Sequence, residues 1–242
     1  MEKFLMYKRN VEKERPMLTT VPRLISVDGI EGAGKTTIVQ MLAQALEEKY
    51  GKDKVLLVKV TNLKGGEKQE RLAEALKTRE LSEEAVNRVW LTGTNRAYEE
   101  KIVPAIEAGK IILLDRSELD LLRYAIEDGN PALIENRQKR IADGSITHRY
   151  WAGNRILLDG DSRDIYANLV ERKSLITTGL LDESAVIKRL AAEKKAEKII
   201  LEMEHEGEQV VIRERNRRIE DIAERRVYLK SLTEKILEQI KL

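Results

Sequence analysis

The 242-residue sequence contains no cysteine. Disulfides, thiolate metal sites and a cysteine nucleophile are thereby excluded. Histidine is nearly as scarce: His148 and His205 are the only two, too few for a histidine metal cluster. Aromatic residues make up 4% of the chain and Phe4 is its one phenylalanine, so base stacking has few candidates. No apolar run approaches the length needed to cross a bilayer, and Met1 to Asn10 lack the apolar stretch of a secretory signal. The expectation is a soluble, cytoplasmic protein with no membrane partner. An excess of one charge is missing too, because 44 basic and 42 acidic side chains leave a formal +2. Such a balance gives no general attraction to nucleic acid, which is not expected as a partner.

What is present begins at Gly29, Ile30, Glu31, Gly32, Ala33, Gly34, Lys35 and Thr36, a complete G-x-x-x-x-G-K-[ST] phosphate loop. It stands between the apolar run Leu24 to Val27 and an amphipathic run beginning at Thr37. Glycines let successive N–H groups turn inward around phosphate oxygens, and the following helix adds its positive end. Lys35 is placed to reach the β- and γ-phosphates and Thr36 to hold Mg²⁺. The pattern predicts binding of a nucleoside triphosphate.

Apolar runs then alternate with helical patterns. Strands are predicted at Leu24 to Asp28, Val55 to Val60, Lys110 to Asp115, Arg155 to Asp159 and Gln209 to Arg213. Ile38, Met41, Leu42, Ala45 and Leu46 give the first helix one apolar stripe, and Gly109 is placed to end the helix before the third strand. Strands alternating with helices predict an α/β fold of the P-loop NTPase kind, a parallel sheet of about five strands covered on both faces. Residues 1–22, with Pro16 and Pro22 and no sustained period, read as an N-terminal extension ahead of a body at 23–242. Charged helical patterns fill 184–206 and 217–240, the latter with an apolar seam of Ile219, Ile222, Leu229, Leu232, Ile236 and Ile240. Interleaved acids favour solvated helices packing on the sheet over a nucleic-acid arm.

The run Ile111 to Asp115 is a buried strand ending in a carboxylate, as a Mg²⁺-side acid requires, and Arg116 follows at once. An acid and then a guanidinium able to grip phosphate bidentately suits transfer between two ligands better than hydrolysis.

The phosphate loop, the segment Asn95 to Glu100 and the segment Ile102 to Arg116 together resemble thymidylate kinase and its nucleoside monophosphate kinase relatives. Ile156 to Asp161 resembles the family's fourth strand, and the likeness covers about residues 23–174. It implies a P-loop kinase domain at 23–242 passing the γ-phosphoryl of ATP to a nucleoside monophosphate, dTMP first, with Mg²⁺. It also implies that Lys35 and Asp115 act in catalysis, that Thr36 and Asp115 manage the metal, that Arg96 and Arg116 serve the acceptor, and that the chain forms a homodimer. In one branch of the family a mobile lid supplies catalytic charge. Arg172, with Lys173 behind it, is the expected donor at the head of a lid over about 172–183.

Several positions depart from the family pattern. Asn62, Leu63 and Lys64 stand before Gly65 and Gly66 where the family has Arg-Glu-Pro, so an acceptor-phosphate arginine is missing and Lys64 or Arg71 is its replacement. Thr92 stands where a phenylalanine stacks on thymine, leaving Trp90 either to stack on a base or to fill core. Ser117 makes Asp-Arg-Ser, which resembles deoxynucleoside kinases. A nucleoside acceptor is therefore the alternative, and a noncatalytic ATP-binding switch working through the C-terminal helices is another.

Overall fold

The computed structural model describes residues 18–60, 91–203 and 205–242. Its centre is a parallel sheet whose main path runs β2 (Val55–Lys59), β3 (Ile111–Asp115), β1 (Leu18–Asp28), β4 (Tyr150–Asp159), β6 (Val210–Arg215), with the short β5 (His205–Glu206) pairing β1 off that path. Each of the five predicted strands is present. Two begin earlier than their apolar runs, β1 at Leu18 and β4 at Tyr150.

The early start of β1 has a local cause. Pro22 cannot donate to a ladder, and the register with β4 shifts between Val21 and Ile25. The strand thus pairs in two pieces, Thr19–Val21 and Ile25–Asp28. Asn154 on β4 donates to the Pro22 carbonyl at 2.7 Å. Residues 18–22, placed by pattern in an N-terminal extension, therefore belong to the central strand; residues 1–17 lie outside the described set.

Helices lie on both faces of this sheet. The helix after the phosphate loop, α1 (Lys35–Tyr50), and the last helix, α8 (Ile222–Gln239), share a core with Val27, Leu113, Ile156 and Ile212 through Ile38, Leu42, Leu46 and Ile236. Only part of the predicted seam of α8 is buried: Leu232 and Ile236 are, whereas Ile222 is 66% exposed. The opposite face is covered by α3 (Glu118–Glu127) and α7 (Glu183–Leu201), around Leu119, Leu122, Trp151, Leu157 and Ile200. A third cluster joins Tyr98 and Ile102 to Ile112 and Leu114.

Caps fix the helix starts that matter. Ser117, Asp161, Asp182 and Asp221 accept N–H bonds from Leu119, Arg163, Ala185 and Glu224, opening α3, α5 (Ser162–Glu171), α7 and α8; each such cap contributes roughly 1 kcal/mol. Before β3, helical residues 91–97 pass through a π turn at Tyr98–Ile102 into α2 (Val103–Glu107), which Gly109 terminates at φ 68°. A further helix, α4 (Pro131–Ala142), follows α3, and the short α6 (Leu175–Thr178) lies within the predicted lid.

Candidate active site

Residues at the carboxyl ends of β1, β3 and β4 converge, as expected where strands of an open α/β sheet meet ligands. The loop leaving β1 needs glycine three times. Gly29, Gly32 and Gly34 adopt φ of 146°, 87° and 87°, values L side chains resist. A Cβ on Gly29 would lie 2.5 Å from the Leu158 carbonyl oxygen, and one on Gly34 would lie 2.2 Å from Asn216 Nδ2. The strand floor and the β6–α8 loop thus press the phosphate loop from behind. Asn216 Nδ2 donates to Ala33 O at 3.0 Å and Asn168 Nδ2 to Gly32 O at 3.2 Å.

Among the described backbone, the N–H groups of Ala33 and Thr37 bond back to Ile30 and Gly34, and those of Glu31, Gly32, Gly34, Lys35 and Thr36 have no backbone acceptor. N–H groups without a backbone acceptor at the start of α1 are the arrangement that the motif requires of an anion cradle. Thr36 is exposed, and Lys35 is buried with Nζ on the Ile30 carbonyl at 2.7 Å. Burial, then the nearby Arg116, pull the Lys35 ammonium down to about 8 against the raising effect of Glu31, Asp120 and Glu193. An incoming phosphate would favour its charged form.

Asp115 ends β3 in register with Val27 of β1 and Lys59 of β2, and is 4% exposed. No described residue forms an ion pair with it. Arg116 then turns the chain at φ 76°, donating its N–H to Val27 O at 3.1 Å. That turn sends its guanidinium toward the phosphate loop, where it pairs with Glu31 at 3.1 Å and with Asp120.

Glu31 is the hub of a larger cluster. Its carboxylate also meets Arg189 at 3.1 Å and Arg123 at 3.6 Å, and accepts from the Tyr124 hydroxyl at 3.2 Å. Arg123, 0% exposed, also pairs with Asp120, Glu127 and Glu193, while Arg189 pairs with Glu127 at 2.9 Å and donates to Thr178 O at 2.9 Å. Burial would raise the Glu31 carboxyl, but Arg123, Arg116, Lys35 and Arg189 outweigh it and hold it well below the usual glutamate range. Glu193 goes the other way. Although 3.1 Å from Arg123 Nε, its carboxyl is pushed up to about 8 by burial, against the lowering effect of Arg123 and Lys35.

A second charged group is sealed beneath the first. Arg155 on β4 reaches Asp28 at 3.3 Å, Glu118 at 2.5 Å and the Ser117 hydroxyl at 3.0 Å, and Ser117 donates to Asp28 at 2.8 Å. The Arg155 guanidinium lies 5.0 Å from the Trp151 ring centroid. Burial, only partly offset by Arg155, raises the Asp28 carboxyl to about 6.

The remaining sequence candidates are scattered. Trp90, Lys64 and Arg71 lie outside the described residues. Arg96 is exposed and pairs with Glu100 one turn on, at 2.5 Å. Arg172 is exposed and caps the end of α5, with Lys173 beyond it at φ 53°; neither has a hydrogen bond or ion pair to the phosphate loop among the described residues, whereas Asn168, one turn earlier, donates to Gly32 O. The cation that the lid side does bring there is Arg189. Neither Arg189 nor Arg123 was singled out by sequence; Arg189 sits in a charged helical run that reads as solvated. A groove of about 550 Å³ between α7 and the ends of β4 and β6 touches the phosphate loop only at Ile30 and is separate from its mouth. No helix among the described residues is long and apolar enough to cross a membrane.

Comparison with known proteins fits this geometry. The thymidylate kinase family model matches residues 27–139. A probable thymidylate kinase of Archaeoglobus fulgidus is 35% identical over 120 residues, covering 49% of this chain and 58% of that protein. The thymidylate kinase of Thermoanaerobacter sp. (strain X514) is 40% identical over 96 residues, covering 39% and 45%. The chain thus spans about half the length of the curated relatives it matches. The crystal structure of thymidylate kinase from Ehrlichia chaffeensis superposes with a TM-score of 0.57 at 16% identity, covering 90% of this chain and 99% of that one. The fold is that of a P-loop NTPase in its thymidylate kinase form, and the chain is thymidylate kinase-like, its sequence likeness lying in residues 27–139.

Proposed function

We propose that the protein is a nucleotide kinase that transfers the γ-phosphoryl group of ATP to a nucleoside monophosphate, dTMP first among acceptors. The observation that carries this reading is Asp115, a buried carboxylate in register with the strand that feeds the phosphate loop and held by no described cation. Such an acid has a function to serve at the metal or the acceptor, because an idle buried charge is costly.

In this reading the N–H groups of the loop and the Lys35 ammonium bind the triphosphate. Thr36 and Asp115 would hold Mg²⁺, which would offset charge on the β- and γ-oxygens. An acceptor phosphate oxygen attacks the γ-phosphorus, the bond to the β-bridging oxygen breaks, and ADP leaves. That oxygen is already deprotonated at neutral pH, so the chain needs to align it rather than supply a base. Arg116, one residue from Asp115, is placed to do so. Ser117, the motive for a nucleoside acceptor, spends its hydroxyl on Asp28 and on the Leu119 N–H, which weakens that alternative. The switch reading loses its motive as well, since α7 and α8 bury Ile200 and Ile236 in the body of the domain.

The test is a panel of monophosphates and nucleosides with ATP and Mg²⁺. Turnover is expected with monophosphates and is expected to fall on the order of 100-fold or more in Lys35→Ala and in Asp115→Asn, as when one transition-state electrostatic contact is removed. Phosphorylation of nucleosides alone would replace this acceptor with the other. Unchanged turnover in Asp115→Asn would make the carboxylate structural.

A further inference from the structure

We propose that Arg189 joins Arg116, the acceptor arginine that the resemblance implies, in a clamp for the phosphate of the acceptor, and that Glu31 of the phosphate loop is the internal occupant of this clamp until the acceptor displaces it. The inference rests on the kinase reading above and deepens it, because a clamp of this kind selects a phosphate-bearing acceptor over a nucleoside.

The geometry is that of guanidiniums gathered on one small anion. Arg116 and Arg189 each stand 3.1 Å from a different Glu31 oxygen, one on Oε1 and the other on Oε2. They come from different elements, Arg116 from the turn after β3 and Arg189 from α7. A phosphate offers more acceptor oxygens than a carboxylate and matches the same planar forks.

Glu31 is the one acid among the described residues that pairs with both Arg116 and Arg189, and it can leave without stranding a cation. Arg116 would keep Asp120, Arg189 would keep Glu127, and Arg123 would keep Asp120 and Glu127. Removal of any of these other acids breaks a pair beneath the surface. The two clamp arginines are reachable, with side chains 16% and 14% exposed, whereas Arg123 behind them is fully buried and supplies field rather than contact. Arg123, Arg116, Lys35 and Arg189 all act on the Glu31 carboxylate, so a phosphate in its place would meet the same cations. Arg189 additionally holds the Thr178 carbonyl at 2.9 Å, so an acceptor phosphate taken by this residue is tied to the predicted lid segment.

The decisive measurement is binding of dTMP and of thymidine to the full chain with a nonhydrolysable ATP analogue and Mg²⁺ filling the phosphate loop. Glu31→Gln keeps the size of the side chain and removes the competing charge. It is expected to tighten dTMP by roughly tenfold, the equivalent of one charge-assisted hydrogen bond, and to leave thymidine within about twofold. Arg189→Gln is expected to weaken dTMP by roughly tenfold or more and again to spare thymidine. Weaker or unchanged dTMP binding in Glu31→Gln, or parallel changes for thymidine in either variant, overturns the clamp. Thermal melts accompany both variants; if Glu31→Gln does not fold, Arg189→Gln and Arg189→Lys decide, and equal dTMP affinity in all three proteins overturns the proposal. Failure of the wild type to bind the ATP analogue would sink the kinase reading by itself, and the same titrations on the ligand-free chain would still judge the clamp.

Discussion

Two buried charge clusters sit one behind the other at the strand ends, and they are built on opposite plans. The outer one, around Glu31, shares each arginine among several acids and leaves Arg116 and Arg189 partly open. The inner one, around Arg155, is closed: Arg155 and Asp28 are 0% exposed and Glu118 2%, and a single guanidinium serves both carboxylates. Redundancy allows a partner to be exchanged for a ligand. A single shared cation allows no exchange, since its loss strands two acids where water cannot follow. The outer cluster is therefore suited to binding, and the inner one to fixing the ends of β1, β3 and β4 relative to one another.

The sharpest way to break this contrast is Arg155→Met. It strands Asp28 and Glu118 together and is expected to cost about 3–5 kcal/mol in denaturant unfolding; a loss under 1 kcal/mol would make the inner cluster as replaceable as the outer. Next comes Asp28→Asn, read through pH. The folded Asp28 carboxyl lies near 6 against an ordinary 3.8, so between those values the folded chain holds a proton that the unfolded chain has released. Wild-type stability gained from this group is present below pH 4 and lost as pH rises through 6, up to about 3 kcal/mol. Relative to Asp28→Asn, the wild type should lose stability over that window, and parallel unfolding curves at pH 4.5 and 7 would refute the assignment.

Glu31→Gln should cost less, roughly 1–2 kcal/mol, since each arginine keeps another acid and only charged hydrogen bonds to one carboxylate are lost. A cost matching that of Arg155→Met would erase the distinction between the two clusters. The smallest effect belongs to Arg96→Ala. Its pair with Glu100 is 71% and 50% exposed, so the unfolding midpoint should stay that of the wild type, the pair being screened by solvent. Any fall in turnover in that variant would then report contact with the acceptor rather than damage to the fold.

Much of this site could be read before folding because it is local. Gly29, Gly34 and Lys35 are set by the backbone path of one short loop, and Asp115 by its place at the end of an all-apolar strand. Pro22 misled in an equally local way: it marks a break in the ladder, and the strand resumes on its other side at Val21, which only pairing with β4 reveals. Arg189 lay beyond such reading. Its partner Glu31 is 158 positions away in the chain, and nothing in the charged pattern of 184–206 distinguishes this arginine from its solvated neighbours. Arg172 had the better sequence position and ended at the exposed terminus of α5.

Sequence alone determined the phosphate cradle, the parallel sheet behind it and the acid at the end of β3, because glycine dihedrals and strand patterning are fixed by consecutive residues. Tertiary structure decided which charges meet. Glu31, Arg116, Arg123 and Arg189 come from a loop, a turn and two helices, and a guanidinium finds its partner according to how α3 and α7 pack on the sheet. Packing also decided how deeply each pair lies, and burial is what sets the strength of a charge and the cost of moving it.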